Sequence, residues 1–261
     1  MYRKIMSEVD VKQTLKLVLE KIEGAFKNRP STLETEKPYL VAVSKTKPAE
    51  MVMEAYEAGQ RHFGENYVQE LVEKASHPGI LDKCKEIRWH FIGHLQSNKV
   101  NKVISIPGLH MIETVDSQKL AEIVNRAWEK RRQEVASTEE RLRVLVQVNT
   151  SGEGQKSGVE PAEAVQLYKF IRDNCPSLSV QGVMTIGKFD HDYSQGPNED
   201  FIVLMKCHEN IIKELQLNPQ DVHVSMGMSH DFEHAINAGS SIVRVGSSIF
   251  GTRTPKSNAA N

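Results

Sequence analysis

The sequence predicts an α/β protein folded as a single-domain (β/α)8 barrel, the TIM-barrel architecture. Eight strand-sized apolar segments recur along the 261 residues, and a helix-patterned segment follows nearly every one. Such alternation implies parallel strands joined by helical crossovers. Several strand segments are apolar on both faces, as in a sheet covered by helices. Eight units in about 220 residues fit a closed barrel better than an open doubly wound sheet, the alternative topology.

The barrel domain is expected over residues 1–251. It opens with an amphipathic helix over 8–28, where Val11, Leu15, Val18, Leu19 and Ile22 recur at three- and four-residue spacings. The first strand covers 39–44, and Pro48 starts a helix that closes on Gly59. Strands over 62–64, 88–92, 110–114, 142–149, 178–185, 222–226 and 242–246 then alternate with helices over 67–75, 98–104, 117–130, 161–174, 200–217 and 232–238. Polar residues 133–141 read as a surface connection. Residues 187–198, with their Asp, Ser, Gly and Pro, read as a mobile loop, and 252–261 as a disordered tail with nothing to bury.

Composition excludes several classes of function. Thirty-three basic and 34 acidic residues leave a net charge of −1, which argues against a nucleic-acid partner. The longest apolar runs are strand-sized, so no membrane span is expected. Cys84, Cys175 and Cys207 are odd in number and lack CxxC spacing, which reads as reduced thiols in a reducing compartment. The opening ten residues carry two cations but no apolar core, so no secretory signal is expected. The expected location is the cytoplasm. A short mitochondrial address remains open, with Met6 as an alternative start.

In such a barrel the chemistry sits where strands end and βα loops begin. The first strand ends in Ser44-Lys45-Thr46-Lys47-Pro48. A lysine at the lip of an apolar strand must pair, lose its proton or react, and an amine of lowered pKa forms Schiff bases with carbonyls. Lys45 shares strand parity with Val41 and Val43, whereas Lys47, on the turn, is expected to face solvent. A structural ion pair is the competing reading for Lys45. The second strand ends in Gly64-Glu65-Asn66: Glu65 suits a neighbouring cation, and Asn66 suits either a ligand oxygen or a helix N-cap. His90, inside an apolar strand, reads as a hydrogen-bonded core group. The last two strands end in Met226-Gly227-Met228-Ser229 and Arg244-Val245-Gly246-Ser247-Ser248. Glycine turns with hydroxyls at these two ends match the place where this barrel binds phosphate. Arg244 needs an anionic or acceptor partner, because guanidinium keeps its proton.

Other signals are weaker. His230 and His234 lie four apart without an HExxH signature, so no metal is expected. Residues 152–158 are glycine-rich but lack P-loop spacing, and read as a surface loop or flap. No Ser-His-Asp or Cys-His arrangement can be assigned, and no catalytic residue is expected. A phosphate site and a Schiff-base lysine on one rim suggest a phosphorylated aldehyde. Pyridoxal 5′-phosphate (PLP) is the candidate, with a sugar phosphate in an aldolase as its rival.

The motifs VAVSKTKP (41–48), HFGENYVQE (62–70), WHFIGHLQSNK (89–99), VMTIG (183–187), SMGMSHDF (225–232) and RVGSSIFG (244–251) resemble the PLP homeostasis protein family. That family is similar in fold to the N-terminal barrel of alanine racemase. The resemblance covers residues 8–251 and implies PLP held as a Schiff base on Lys45. By position it places Asn66 near the ring, Ser229, Gly246 and Ser247 on the phosphate, and Arg244 at the pyridine nitrogen. It implies a monomeric carrier or buffer in intracellular PLP homeostasis, without established catalysis, with PLP-dependent apoenzymes as acceptors. The alternative is a PLP-dependent amino-acid racemase. Racemisation needs an acid/base group on each face of the carbon, and alanine racemase draws the second from a further C-terminal domain. The chain ends soon after the eighth strand, so that domain is expected to be absent.

Overall fold

A computed structural model describes residues 9–135, 141–153, 157–188 and 191–252. Eight strands, β1 (Tyr39–Val43), β2 (His62–Glu65), β3 (Arg88–Phe91), β4 (Leu109–Val115), β5 (Leu142–Gln147), β6 (Leu178–Met184), β7 (His223–Ser225) and β8 (Ile242–Val245), close in chain order into a barrel. Every neighbouring pair is parallel, and β8 returns to β1 with Val41 opposite Arg244. The closed sheet has no edge to protect.

Helices wrap the outside: α1 (Val11–Asn28), α2 (Ala49–Glu57), α3 (Val68–Ala75), α4 (Pro78–Lys83), α5 (Val100–Ile104), α6 (Gln118–Val135), α7 (Ala164–Asn174), α8 (Glu199–Leu215), α9 (Phe232–Ala238) and α10 (Ser247–Phe250). Most of the core lies between sheet and helices, around Phe63, Trp89, Phe91, Ile112 and Val144. A smaller apolar cluster of Val41, Met111, Leu145, Met184 and Ile242 fills the barrel interior. α1 is capped by Asp10, whose carboxylate accepts the Gln13 N–H at 3.0 Å. It buries Val11, Leu15, Val18 and Ile22 as expected. Leu19, expected on the same face, is 42 % exposed.

The helical segment expected over 67–75 is followed by a separate helix, α4, which starts at Pro78 with the His77 ring accepting the Gly79 N–H. α6 runs to Val135, so the expected connection over 133–141 is helical at its start; residues 136–140 lie outside the described residues. The segment over 187–198, expected as a mobile loop, is pinned where described. Lys188 N–H bonds Asp200 at 2.7 Å, a 3₁₀ turn forms over Tyr193–Gln195, and Asn198 caps α8. Of the expected tail only Thr252 is described. The three cysteines are buried free thiols. Among the described residues, no helix is long and apolar enough to cross a membrane.

Candidate cofactor pocket

The six residues singled out at strand ends, Lys45, Asn66, Ser229, Arg244, Gly246 and Ser247, line one cavity of about 400 Å³ at the C-terminal rim of the barrel. Its apolar walls come from Val43, Ile92, Met184, Ile186, Met228 and Phe250. Apolar walls with a few convergent polar groups define a small-molecule site.

Lys45 stands two residues beyond β1, after Ser44, and is half-buried. The turn behind it places Thr46 at φ 65°, a left-handed conformation costly for a β-branched residue. Glu70 Oε2 accepts the Thr46 N–H at 2.7 Å, and Lys47 N–H closes the turn onto Ser44 O at 3.0 Å. Contrary to expectation, Lys47 does not simply face solvent. It lines the same pocket and donates through Nζ to Thr252 O at 2.8 Å; burial lowers its pKa.

Beneath this turn lies a buried polar knot. Glu65 Oε1 accepts from Lys74 Nζ and from the Ser44 hydroxyl, both at 2.6 Å, and Lys74 also reaches Ser44 O at 2.7 Å. Glu65 thus takes the neighbouring cation expected of it. Burial pushes its carboxyl pKa up, and the Lys74 ammonium pulls against that. Asn66 is not a helix cap: the capping position of α3 is Tyr67. The Asn66 side-chain oxygen is buried with no hydrogen-bond partner. Gly93 locks its backbone in place, since a Cβ there would lie 1.9 Å from Asn66 O.

The two glycine turns are joined. Ser229 Oγ accepts the Gly246 N–H at 3.0 Å, and Ser248 Oγ donates to Ser229 O at 3.3 Å. Gly227 sits at φ +93°, and a Cβ on it would meet Ala235 Cβ at 2.5 Å. Gly246 packs against β1, where a Cβ would come within 3.1 Å of Val43 O. Glycine lets both turns close over the cavity.

Arg244 is 4 % exposed. It donates from Nη1 to Ser225 Oγ at 2.6 Å and from Nη2 to Thr185 O at 2.7 Å. Ser225 donates in turn to Glu113 Oε2 at 2.6 Å, while Glu113 Oε1 lies 2.7 Å from His90 Nδ1. His90 Nε2 is 2.8 Å from His62 Nδ1, and Arg88 Nη1 is 3.2 Å from His62 Nε2. Arginine only donates, so this chain has one polarity. Arg88 donates to His62, His62 to His90 and His90 to Glu113; from the pocket side, Arg244 donates to Ser225 and Ser225 to Glu113. Both halves end on one fully buried carboxylate. Burial raises the Glu113 pKa, but the His90 hydrogen bond and the Arg244 charge outweigh it and hold the group below the ordinary carboxylate range. Burial lowers the Arg244 pKa, opposed by the Glu113 charge. Burial, reinforced by neighbouring His90, lowers His62 to about 3 and His110 to about 2.

Sequence reasoning missed Glu113, Ser225, Lys74 and the pocket positions of Lys47 and His230. His230 stands exposed on the pocket wall, whereas His234 stacks on Tyr193 with ring centres 3.7 Å apart, so the two do not converge. His90 is the hydrogen-bonded core group expected. Residues 152–158 do not line the pocket where they are described.

The family model of the alanine racemase N-terminal domain matches residues 23–254 of this closed (β/α)8 barrel. A Bos taurus pyridoxal phosphate homeostasis protein is 55 % identical over 247 residues, covering 95 % of this chain and 89 % of the relative. Its Homo sapiens counterpart is 53 % identical, covering 95 % and 88 %. The chain belongs to the pyridoxal phosphate homeostasis protein family. A solved structure of PipY from Synechococcus elongatus with PLP bound is 28 % identical, with a TM-score of 0.68 over 90 % of this chain and 100 % of that one.

Proposed function

We propose that this protein binds PLP in the rim pocket, through a Schiff base on Lys45, and serves as an intracellular PLP carrier. The observation that carries this reading is one cavity of about 400 Å³ lined by an amine, a pair of joined glycine-hydroxyl turns and a buried guanidinium. The residues fit the cofactor. The Gly246 and Ser229 turns offer backbone N–H and hydroxyl groups for a phosphate, and the apolar walls suit a pyridine ring. The unpartnered Asn66 side-chain oxygen marks a place where a ligand completes the hydrogen bonding. PLP supplies an aldehyde that condenses with amines and a ring that withdraws electrons.

Arg244 supports carriage over turnover when taken together with the state of the groups opposite Lys45. Two acceptor contacts and the distant Glu113 hold its guanidinium at the pocket floor. A fixed positive charge near a pyridine nitrogen disfavours ring protonation, which weakens electron withdrawal from an amino-acid carbon. The racemase reading requires an acid/base group opposite Lys45, and Lys47 and His230 are the titratable groups available on the same walls. Lys47 is committed to the Thr252 carbonyl, and His230 is exposed. In this reading the protein acts as a cytoplasmic monomer that passes PLP to apoenzymes.

Borohydride reduction followed by peptide mass analysis tests the linkage. The adduct is expected on the Lys45 peptide and is lost in Lys45→Ala; an adduct confined to Lys47, or none at all, sinks the assignment. Incubation with L-amino acids in deuterated water and chiral chromatography tests the carrier reading. No multiple-turnover α-proton exchange is expected. Exchange that vanishes in Lys45→Ala restores the racemase.

A further inference from the structure

The N-terminal mouth of the barrel, opposite the pocket, gathers three histidines from three adjacent strands. His62 opens β2, His90 lies within β3 and His110 lies near the start of β4. We propose that His62, His90 and His110 form a binding site for a divalent metal ion of the zinc class. Each ring offers one nitrogen, and the three nitrogens lie within 4.8 Å of one another. The ring centres are 5.0, 5.0 and 5.3 Å apart. Three imidazoles sharing a tetrahedral zinc ion, with Zn–N of about 2.0–2.1 Å, place their ring centres roughly 5 Å apart. The ring centres therefore already stand at about that separation.

The surroundings supply the outer contacts of such a site. His90 is fully buried, and its Nδ1 lies 2.7 Å from the Glu113 carboxylate. That bond fixes the tautomer that presents Nε2 as a lone pair, the carboxylate–histidine–metal arrangement seen in protein zinc sites. His62 and His110 are only part-buried, which leaves access for the ion and room for a water as fourth ligand. Neutral nitrogen donors in this number suit zinc and cobalt rather than magnesium or calcium.

Three costs oppose binding. An ion replaces the hydrogen bond from His62 to His90. The His62 proton moves to the non-ligating nitrogen, so Arg88, now 3.2 Å from Nε2, must turn aside. Arg88 is exposed and can do so. Arg143 also weighs on both outer rings, against the attraction of the Glu113 carboxylate. The ion would join β2, β3 and β4 at the end of the barrel remote from the PLP pocket, so this proposal stands independently of the pocket's ligand.

The test uses tag-free, chelator-treated protein titrated with cobalt(II) chloride and, separately, zinc chloride. Wild type is expected to take up one equivalent, show the intense visible bands of four-coordinate cobalt, and melt at a higher temperature with zinc. His62→Gln and His110→Gln should each weaken uptake at least a hundredfold, while the double variant His230→Gln/His234→Gln should bind as wild type does. Circular dichroism checks the fold of each variant. If a cluster variant does not fold, the wild-type cobalt spectrum decides alone, since three nitrogen donors give intense bands and scattered surface carboxylates give weak six-coordinate ones. No uptake, weak bands, or equal binding by folded cluster variants overturns the site.

Discussion

Ser229 joins two turns that lie at separate strand ends, because its hydroxyl accepts the Gly246 N–H at 3.0 Å. The same oxygen carries a proton that it can donate to an anion in the cavity. Removing it in Ser229→Ala is expected to cost about 1–2 kcal/mol of PLP binding, roughly a tenfold loss in affinity. Pyridoxal, which lacks the phosphate, should bind Ser229→Ala as it binds the wild type. An equal loss for both ligands, read by fluorescence titration, would mean that the hydroxyl only holds the turns together. Pocket residues such as Ser229, Gly246 and Lys45 were legible because each lies in the turn after a strand, and the barrel brings these turns to one rim. Glu113 was not legible. In HMIETV it reads as an ordinary acid within a strand; its partner His90 comes from the neighbouring β3, and Ser225 from β7 is brought within reach only by closure of the sheet.

At the level of elements, the turn after β1 is held by α3. Glu70 takes the Thr46 N–H, and Lys74, one turn further along the helix, reaches past it to Ser44 and Glu65. Both ends of the Lys74–Glu65 pair are nearly inaccessible, at 8 % and 0 % side-chain exposure. Removing one partner of a buried pair leaves the other charge uncompensated and typically costs about 3–5 kcal/mol. Lys74→Met is therefore expected to destabilise the protein by about that amount in urea unfolding. Adding Glu65→Gln should recover part of the loss; a double variant no better than the single one would show that packing, not charge, is at stake. The pairing could not be read from sequence, where Lys74 looks like a solvent-facing residue of an amphipathic helix. The helix α4 was hidden for another reason. Six residues are too few to show a period, and its start signal, His77 before Pro78, resembles a loop. The eight long-range strand assignments survived because apolar runs between turn residues need no period to be seen.

Across the molecule, the barrel buries more imidazoles than carboxylates in states that resist protonation, and this sets the response to acid. Burial lowers the pKa of His62, His110, His208 and His223 below the ordinary histidine value of 6.5. Between those lowered values and 6.5 the unfolded chain binds protons that the native protein refuses. Stability therefore rises with pH across this window and is lost as pH falls below 6.5. Glu113, held below its ordinary 4.5, adds a loss in the same direction at lower pH. Glu65 and Asp116 oppose it: burial raises both, so the native state binds their protons first and gains stability on acidification. Four histidines against two acids leave a net loss between pH 6.5 and 4.5. Urea midpoints of the PLP-free, chelator-treated protein are expected to fall steadily over this range. The profile should flatten in His62→Gln and His110→Gln, where the unfolded chain no longer has that proton to gain. A midpoint that holds or rises from pH 6.5 to 4.5 would mean that the two raised carboxyls outweigh the imidazoles, and that the histidine-lined mouth takes up protons in the native state.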